Sequence, residues 1–106
     1  MGLNVIRHLV LFKLNDGIDW SDARALRAEK VTKDHPAHIP EILSWEVGRN
    51  LTDRPQAYDF ALIGTFADLP AITRYLNHSD HQRGVRLWRD IATWVVSDFN
   101  AIESKG

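Results

Sequence analysis

The strand-like stretches of this chain are apolar on both sides. From Val5 to Leu14 the sequence reads Val-Ile-Arg-His-Leu-Val-Leu-Phe-Lys-Leu, and Asn15-Asp16-Gly17 follows as a turn signal. β-Branched and aromatic content bounded by turn residues predicts a strand. Side chains alternate across a strand, so Ile6, His8, Val10, Phe12 and Leu14 share one face while Val5, Leu9 and Leu11 share the other. Asp19 is placed to cap a helix from about Trp20 to Asp34, which Pro36 ends. Its apolar stripe is thin: Ala23, Leu26, Lys30 and Val31. A second strand is expected over 42–49 and a third over 58–66, with a polar loop between them. Asp68 caps a short helix that carries Pro70 in its first turn, where a missing N–H does no harm. Asn77 to Asp80 interrupts it, and Ser79 can cap a second piece ending near Trp88 or Arg89. A last strand is expected over 91–100, with 101–106 as a tail.

The order strand, helix, strand, strand, helix, strand is the split βαβ pattern of a ferredoxin-like α+β fold. It predicts an antiparallel four-stranded sheet with its helices on one face. A sheet with one wet face should alternate apolar and polar residues. These strands do not, and monomers avoid large exposed apolar patches. A homodimer closing sheet face on sheet face is therefore expected.

The 106 residues suffice for one domain, taken as residues 1–106 with a core over about 6–100. Hydrophobic residues are 44% and charged residues 25%, an ordinary globular composition. Formal net charge is −1, so no strong field steers the chain to nucleic acid or an anionic membrane. Cysteine is absent from the sequence, which removes disulfides, thiolate catalysis and thiolate metal ligands and suits a reducing, cytoplasmic setting. The start lacks the pattern of a signal peptide. No Gly-rich phosphate loop occurs, so a nucleotide cofactor is not expected.

The candidate chemistry sits at the helical joint, Tyr75-Leu76-Asn77-His78-Ser79-Asp80-His81. A phenol and imidazoles can transfer protons without metal or organic cofactor. His81, Val85 and Trp88 fall on one helical face, which should pack on the sheet and leave His81 partly buried. The competing reading is a core histidine satisfied by one backbone carbonyl. For Tyr75 the competing reading is the commoner one, an amphipathic core tyrosine with its tip at the surface. His8 shares its strand face with Phe12 and points toward His81 if that face meets the helices. His78 stands at the joint, first as a helix cap and otherwise as a binding residue. The pairs His78/His81 and His35/His38 have a three-residue spacing seen in metal sites, but the break at the joint and Pro36 spoil both, so no metal is expected. Arg83, Arg86 and Arg89 read as a solvated face.

Five segments together resemble the stress-responsive A/B barrel (Dabb) family of dimeric α+β barrels. They are Arg7-His8-Leu9-Val10-Leu11-Phe12-Lys13, Val47-Gly48-Arg49-Asn50, Tyr58-Asp59, the joint from Tyr75 to His81, and Val96-Ser97-Asp98-Phe99. The family usually has proline after the first histidine of the joint; here it is Ser79. Some members look like plant stress proteins, others like cofactor-free polyketide cyclases with a Tyr–His pair, and more distant relatives are monooxygenases or decyclising enzymes. The resemblance implies His81 as general base and Tyr75 as the donor that holds an enolate oxygen. His8, Phe12, His78 and Trp88 would line the substrate pocket, with no cofactor and no metal. The alternative is a non-catalytic stress-responsive binding or structural protein. A cavity of a few hundred Å³ reaching His81 separates the two.

Overall fold

The computed structural model describes residues 5–102. Four strands and three helices follow the expected order: β1 (Ile6–Leu14), α1 (Ala23–Asp34), β2 (Ser44–Arg49), β3 (Phe60–Phe66), α2 (Leu69–Asn77), α3 (Ser79–Arg89) and β4 (Ala92–Phe99). The sheet order is β2-β3-β1-β4, with every neighbouring pair antiparallel. This is the ferredoxin-like arrangement. Its register pairs His8 with Gly64 on one side and with Asp98 on the other.

Several expected boundaries move, each for a local reason. Asp19 does not cap α1; its carboxylate is taken by the backbone and hydroxyl of Ser21. Asp22 is the cap instead, accepting from Arg24 N at 2.8 Å, so the helix starts at Ala23. The buried stripe of α1 is Ala25, Ala28, Val31 and Thr32, while Leu26 is 44% exposed. Small alanines let the helix lie close to the sheet, and the larger Leu26 is turned outward. Ser79 does not cap α3 either. His78 takes an extended conformation, donates its N–H to Tyr75 O, and accepts Asp80 N–H on its own Nδ1 at 3.0 Å. One histidine thus closes α2 and opens α3.

The inward sheet face carries the core. Val10, Phe12, Leu14, Phe60, Leu62, Trp88 and Ile91 form one buried cluster with Ala25 and Ala28; Ile39, Phe66, Ala71, Ile72 and Tyr75 form a second. Trp45 packs against both. It lies over Gly64, its strand partner, where a Cβ would stand 2.5 Å from the indole. Only glycine permits that contact, and it fixes the indole so that its N–H reaches Thr32 O at 3.0 Å.

Among the described residues no helix covers the opposite sheet face. The register places Leu9, Leu11, Ala61, Ile63, Val95 and Phe99 there together, with Val95 50% and Phe99 37% exposed. Among the described residues no helix is long and apolar enough to cross a membrane.

Candidate functional site

A cavity of about 260 Å³ lies between the helices and the inward sheet face. Val10, Phe12, Leu62, Val85, Trp88 and Trp94 give it an apolar body. Phe12 and Trp88 stack with ring centroids 4.3 Å apart, and Trp88 donates its indole N–H to Thr32 Oγ1 at 2.7 Å. That buried bond holds the indole as a rigid wall. On the other side the wall is the edge strand β4, whose inward side chains Trp94, Val96 and Asp98 are not fully covered. Val96 is 52% exposed, so the cavity is open toward this edge.

Beside Thr32, whose hydroxyl is taken by Trp88 and Ala28 O, the polar side chains are three histidines, one tyrosine and one carboxylate: His8, His35, His81, Tyr75 and Asp98. His8 is buried on β1. Its Nδ1 lies 2.6 Å from Asp98 Oδ1, and its Nε2 lies 3.4 Å from the Tyr75 hydroxyl. A carboxylate only accepts, so Nδ1 carries the proton and Nε2 presents a lone pair to Tyr75. The Tyr75 hydroxyl donates to it across a distance long for an O–H···N bond, so it can turn to a ligand oxygen at little cost. Tyr75 is 1% exposed. Burial, with the Asp98 charge adding to it, raises its pKa well above the ordinary tyrosine value, so it remains a phenol and a donor.

His81 is half-buried, with its ring 4.4 Å from the Tyr75 ring. Its Nδ1 lies 3.1 Å from Leu76 O, a carbonyl at the end of α2, to which Gln82 Nε2 also donates. The carbonyl again fixes the tautomer: Nδ1–H donates, and Nε2 carries the lone pair. Burial lowers the His81 pKa to about 4, the Leu76 carbonyl opposing it only in part. At neutral pH the ring is uncharged and able to take a proton.

The sequence-based site residues are thus distributed unevenly. His8, Phe12, Tyr75, His81 and Trp88 line one cavity. His78 does not line it; its ring is occupied in capping α3, because the chain turns at this residue. His8 meets Tyr75 and Asp98 through hydrogen bonds, and His81 lies beyond the Tyr75 ring. Two groups were missed. Asp98 was visible only as part of the closing segment of the family resemblance. His35, from the turn after α1, enters the cavity with Nδ1 2.7 Å from Asp80 Oδ2. Among the described residues no group of three or more His, Asp or Glu is arranged to hold a metal ion.

An antiparallel ferredoxin-like domain with a histidine-lined apolar cavity under its helices defines a class of small α+β proteins. Within that class, the chain belongs to the stress responsive A/B barrel domain family, whose model matches residues 6–101. It is 46% identical over 95 residues to an uncharacterised protein of Streptomyces coelicolor, covering 90% of this chain and 98% of that one. Among solved structures it is similar to a dimeric ferredoxin-like protein of unknown function from Thermobifida fusca. That likeness has a TM-score of 0.80 at 24% identity and covers 92% of this chain and 91% of the other. It is also similar to a hydroxynitrile lyase from Passiflora edulis, with a TM-score of 0.82, 15% identity, and 98% and 99% of the two chains covered.

Proposed function

We propose that the protein is a homodimeric, cofactor-independent enzyme that removes a proton next to a carbonyl of a small, carbonyl-rich compound, in a cyclase- or lyase-type reaction. The observation that carries this reading is the convergence of His81 and Tyr75 on one apolar cavity of about 260 Å³. Such a volume suits one small ligand. His81 Nε2 takes the proton from carbon. The electron pair moves onto the carbonyl oxygen, and the Tyr75 O–H donates a hydrogen bond to the enolate that forms. His8, oriented by Asp98, accepts the Tyr75 hydroxyl in the free protein and gives it up to the ligand oxygen through a long, weak bond. The enolate carbon then attacks a second carbonyl or expels a leaving group, and His81 returns its proton.

The environment of His81 narrows the substrate. A base whose conjugate acid has a pKa of about 4 is weak. It suffices only for an acidic C–H, such as one between two carbonyls, and with the enolate held by a donor. The dimer would form through the uncovered sheet face, where Leu9, Leu11, Ile63 and Val95 lie together.

One observation favours the alternative, a non-catalytic binding or structural protein of the stress-responsive kind. The His81–Leu76 hydrogen bond bridges the two helices of the joint, as a purely structural histidine would. Thermal-shift screening against aryl 1,3-diketones and related compounds, repeated on His81→Ala, separates the two. Compounds that stabilise the wild type and are turned over only when His81 is present support the enzyme. A variant with lowered melting temperature and a wild type without ligand response support the structural reading.

A further inference from the structure

Three imidazoles border the cavity, and each has its Nδ1 held by an acceptor: Asp98 for His8, Asp80 for His35, and Leu76 O for His81. Each therefore presents Nε2 as a lone pair. His8 spends its Nε2 on Tyr75. The proton-transfer reading uses His81 and leaves His35 without a task.

His35 is unusually well positioned for a residue in a turn. It is the C-cap of α1, is 3% exposed, and its side chain is held by Asp80 in the first turn of α3. Its Nε2–Cε1 edge lies over Gly84, itself a cavity-lining residue. A Cβ at Gly84 would stand 2.9 Å from Nε2, so glycine is what lets the ring edge lie this close to α3. The His35 and His81 rings are 6.0 Å apart. No Lys or Arg is among the described residues lining the cavity, whereas the carboxylate of Asp98 does line it and that of Asp80 stands behind His35.

Resting on the reading of this cavity as a small-molecule site, we infer that His35, held by Asp80, is a second ligand-binding acceptor beside His81. The cavity then selects neutral molecules that donate two hydrogen bonds, such as a ring with two hydroxyls meta to one another. Two lone-pair nitrogens and the Asp98 carboxylate outnumber the one hydroxyl donor, Tyr75, so the lining rewards a ligand that brings donors. Two nearby carboxylates with no lining cation disfavour an anionic ligand. Burial lowers the proton affinity of both rings, which keeps them acceptors at neutral pH.

The test uses resorcinol, resorcinol dimethyl ether and the carboxylate of dihydroxybenzoic acid on the full chain. Imidazole nitrogen resonances of the wild type are followed by NMR, and affinities are measured for the wild type and His35→Gln. Resorcinol should shift the Nε2 resonances of both His35 and His81 and bind more tightly than either other probe. His35→Gln should weaken resorcinol about tenfold, which is about 1.4 kcal/mol, with the dimethyl ether unchanged. If resorcinol moves His81 but leaves His35 still, the cavity is a site and the second acceptor is wrong. Equal weakening of resorcinol and the ether in His35→Gln, or tighter binding of the carboxylate, overturns the inference in the same way. If no probe binds the wild type and neither ring responds, both the inference and the small-molecule reading fall. The NMR measurement needs no variant, so it decides even if a substitution unfolds the chain.

Discussion

His8 Nδ1 lies 2.6 Å from Asp98 Oδ1, tying the middle of the sheet to its open edge across 90 residues of chain. The bond sets the imidazole tautomer and with it the acceptor that faces Tyr75. Asp98→Asn keeps the shape but offers an amide that can donate as well as accept, so the ring is free to reverse its tautomer. Turnover of an identified substrate should fall by about 10–100-fold while far-ultraviolet circular dichroism stays unchanged. Steady-state kinetics on the variant checks this, and unaltered kcat/KM would remove His8 and Asp98 from the mechanism.

His81→Ala should cost about 10²–10⁴-fold in rate by removing the proton acceptor. Tyr75→Phe should cost roughly 10–10³-fold by removing the enolate donor. The tyrosine ring packs against Phe66, Trp45 and His81, and phenylalanine retains those contacts. Its melting temperature should therefore stay within a few degrees of the wild type. A Tyr75→Phe protein that melts far lower and retains full turnover would mark the hydroxyl as structural.

Thr32 Oγ1 accepts from buried Trp88 and donates to Ala28 O. Thr32→Val is close in shape but leaves the indole N–H without its partner. Chemical denaturation should show a loss of about 1–3 kcal/mol. Ligand affinity should drop with it, because Trp88 loses the bond that fixes it as a cavity wall.

The fold was readable because its signals are local. Alternation placed His8, Val10 and Phe12 on one strand face, and helical spacing put His81, Val85 and Trp88 on one helix face. Capping was harder, since Asp19 and Asp22 have the same chemistry and Ser21 decided between them by occupying Asp19. The thin α1 stripe was misplaced because Ala25 and Ala28 bury by being small, while Leu26 is the more hydrophobic and yet exposed. The two His–Asp pairs were out of reach for another reason. His35 meets Asp80 over 45 residues and His8 meets Asp98 over 90. No periodicity in one segment encodes those pairings; they follow from sheet register and from the packing of α1 on α3.

Acid should weaken both stability and activity. An unfolded histidine titrates near 6.5, whereas folded His81 titrates near about 4, and burial lowers His35 in the same direction. Between those values the unfolded chain binds more protons than the folded one. Stability therefore rises as pH increases from about 4 to about 6.5 and gains nothing further from these groups above that. Melting curves across this range should show the slope in the wild type and a shallower one in His81→Gln. The acid limb of kcat/KM should fall near pH 4 and not near 6.5.

The sheet face predicts association. Light scattering at micromolar concentration should give about twice the 12.1 kDa chain mass. Leu11→Lys, which puts a charge between Ala61 and Val95, should shift the protein toward monomer while leaving the cavity residues in place. A wild type that scatters as a single folded chain would leave the apolar face without its partner.

The most direct measurement of the proposed chemistry is deuterium uptake at the carbon between the carbonyls of an α-methylated aryl 1,3-diketone, followed by proton NMR in heavy water. Wild-type protein should accelerate exchange above the buffer rate, and His81→Ala, folded and at the same concentration, should return it to that rate. Exchange no faster than buffer with a probe shown to bind, or acceleration that survives in His81→Ala, would contradict His81 as the base.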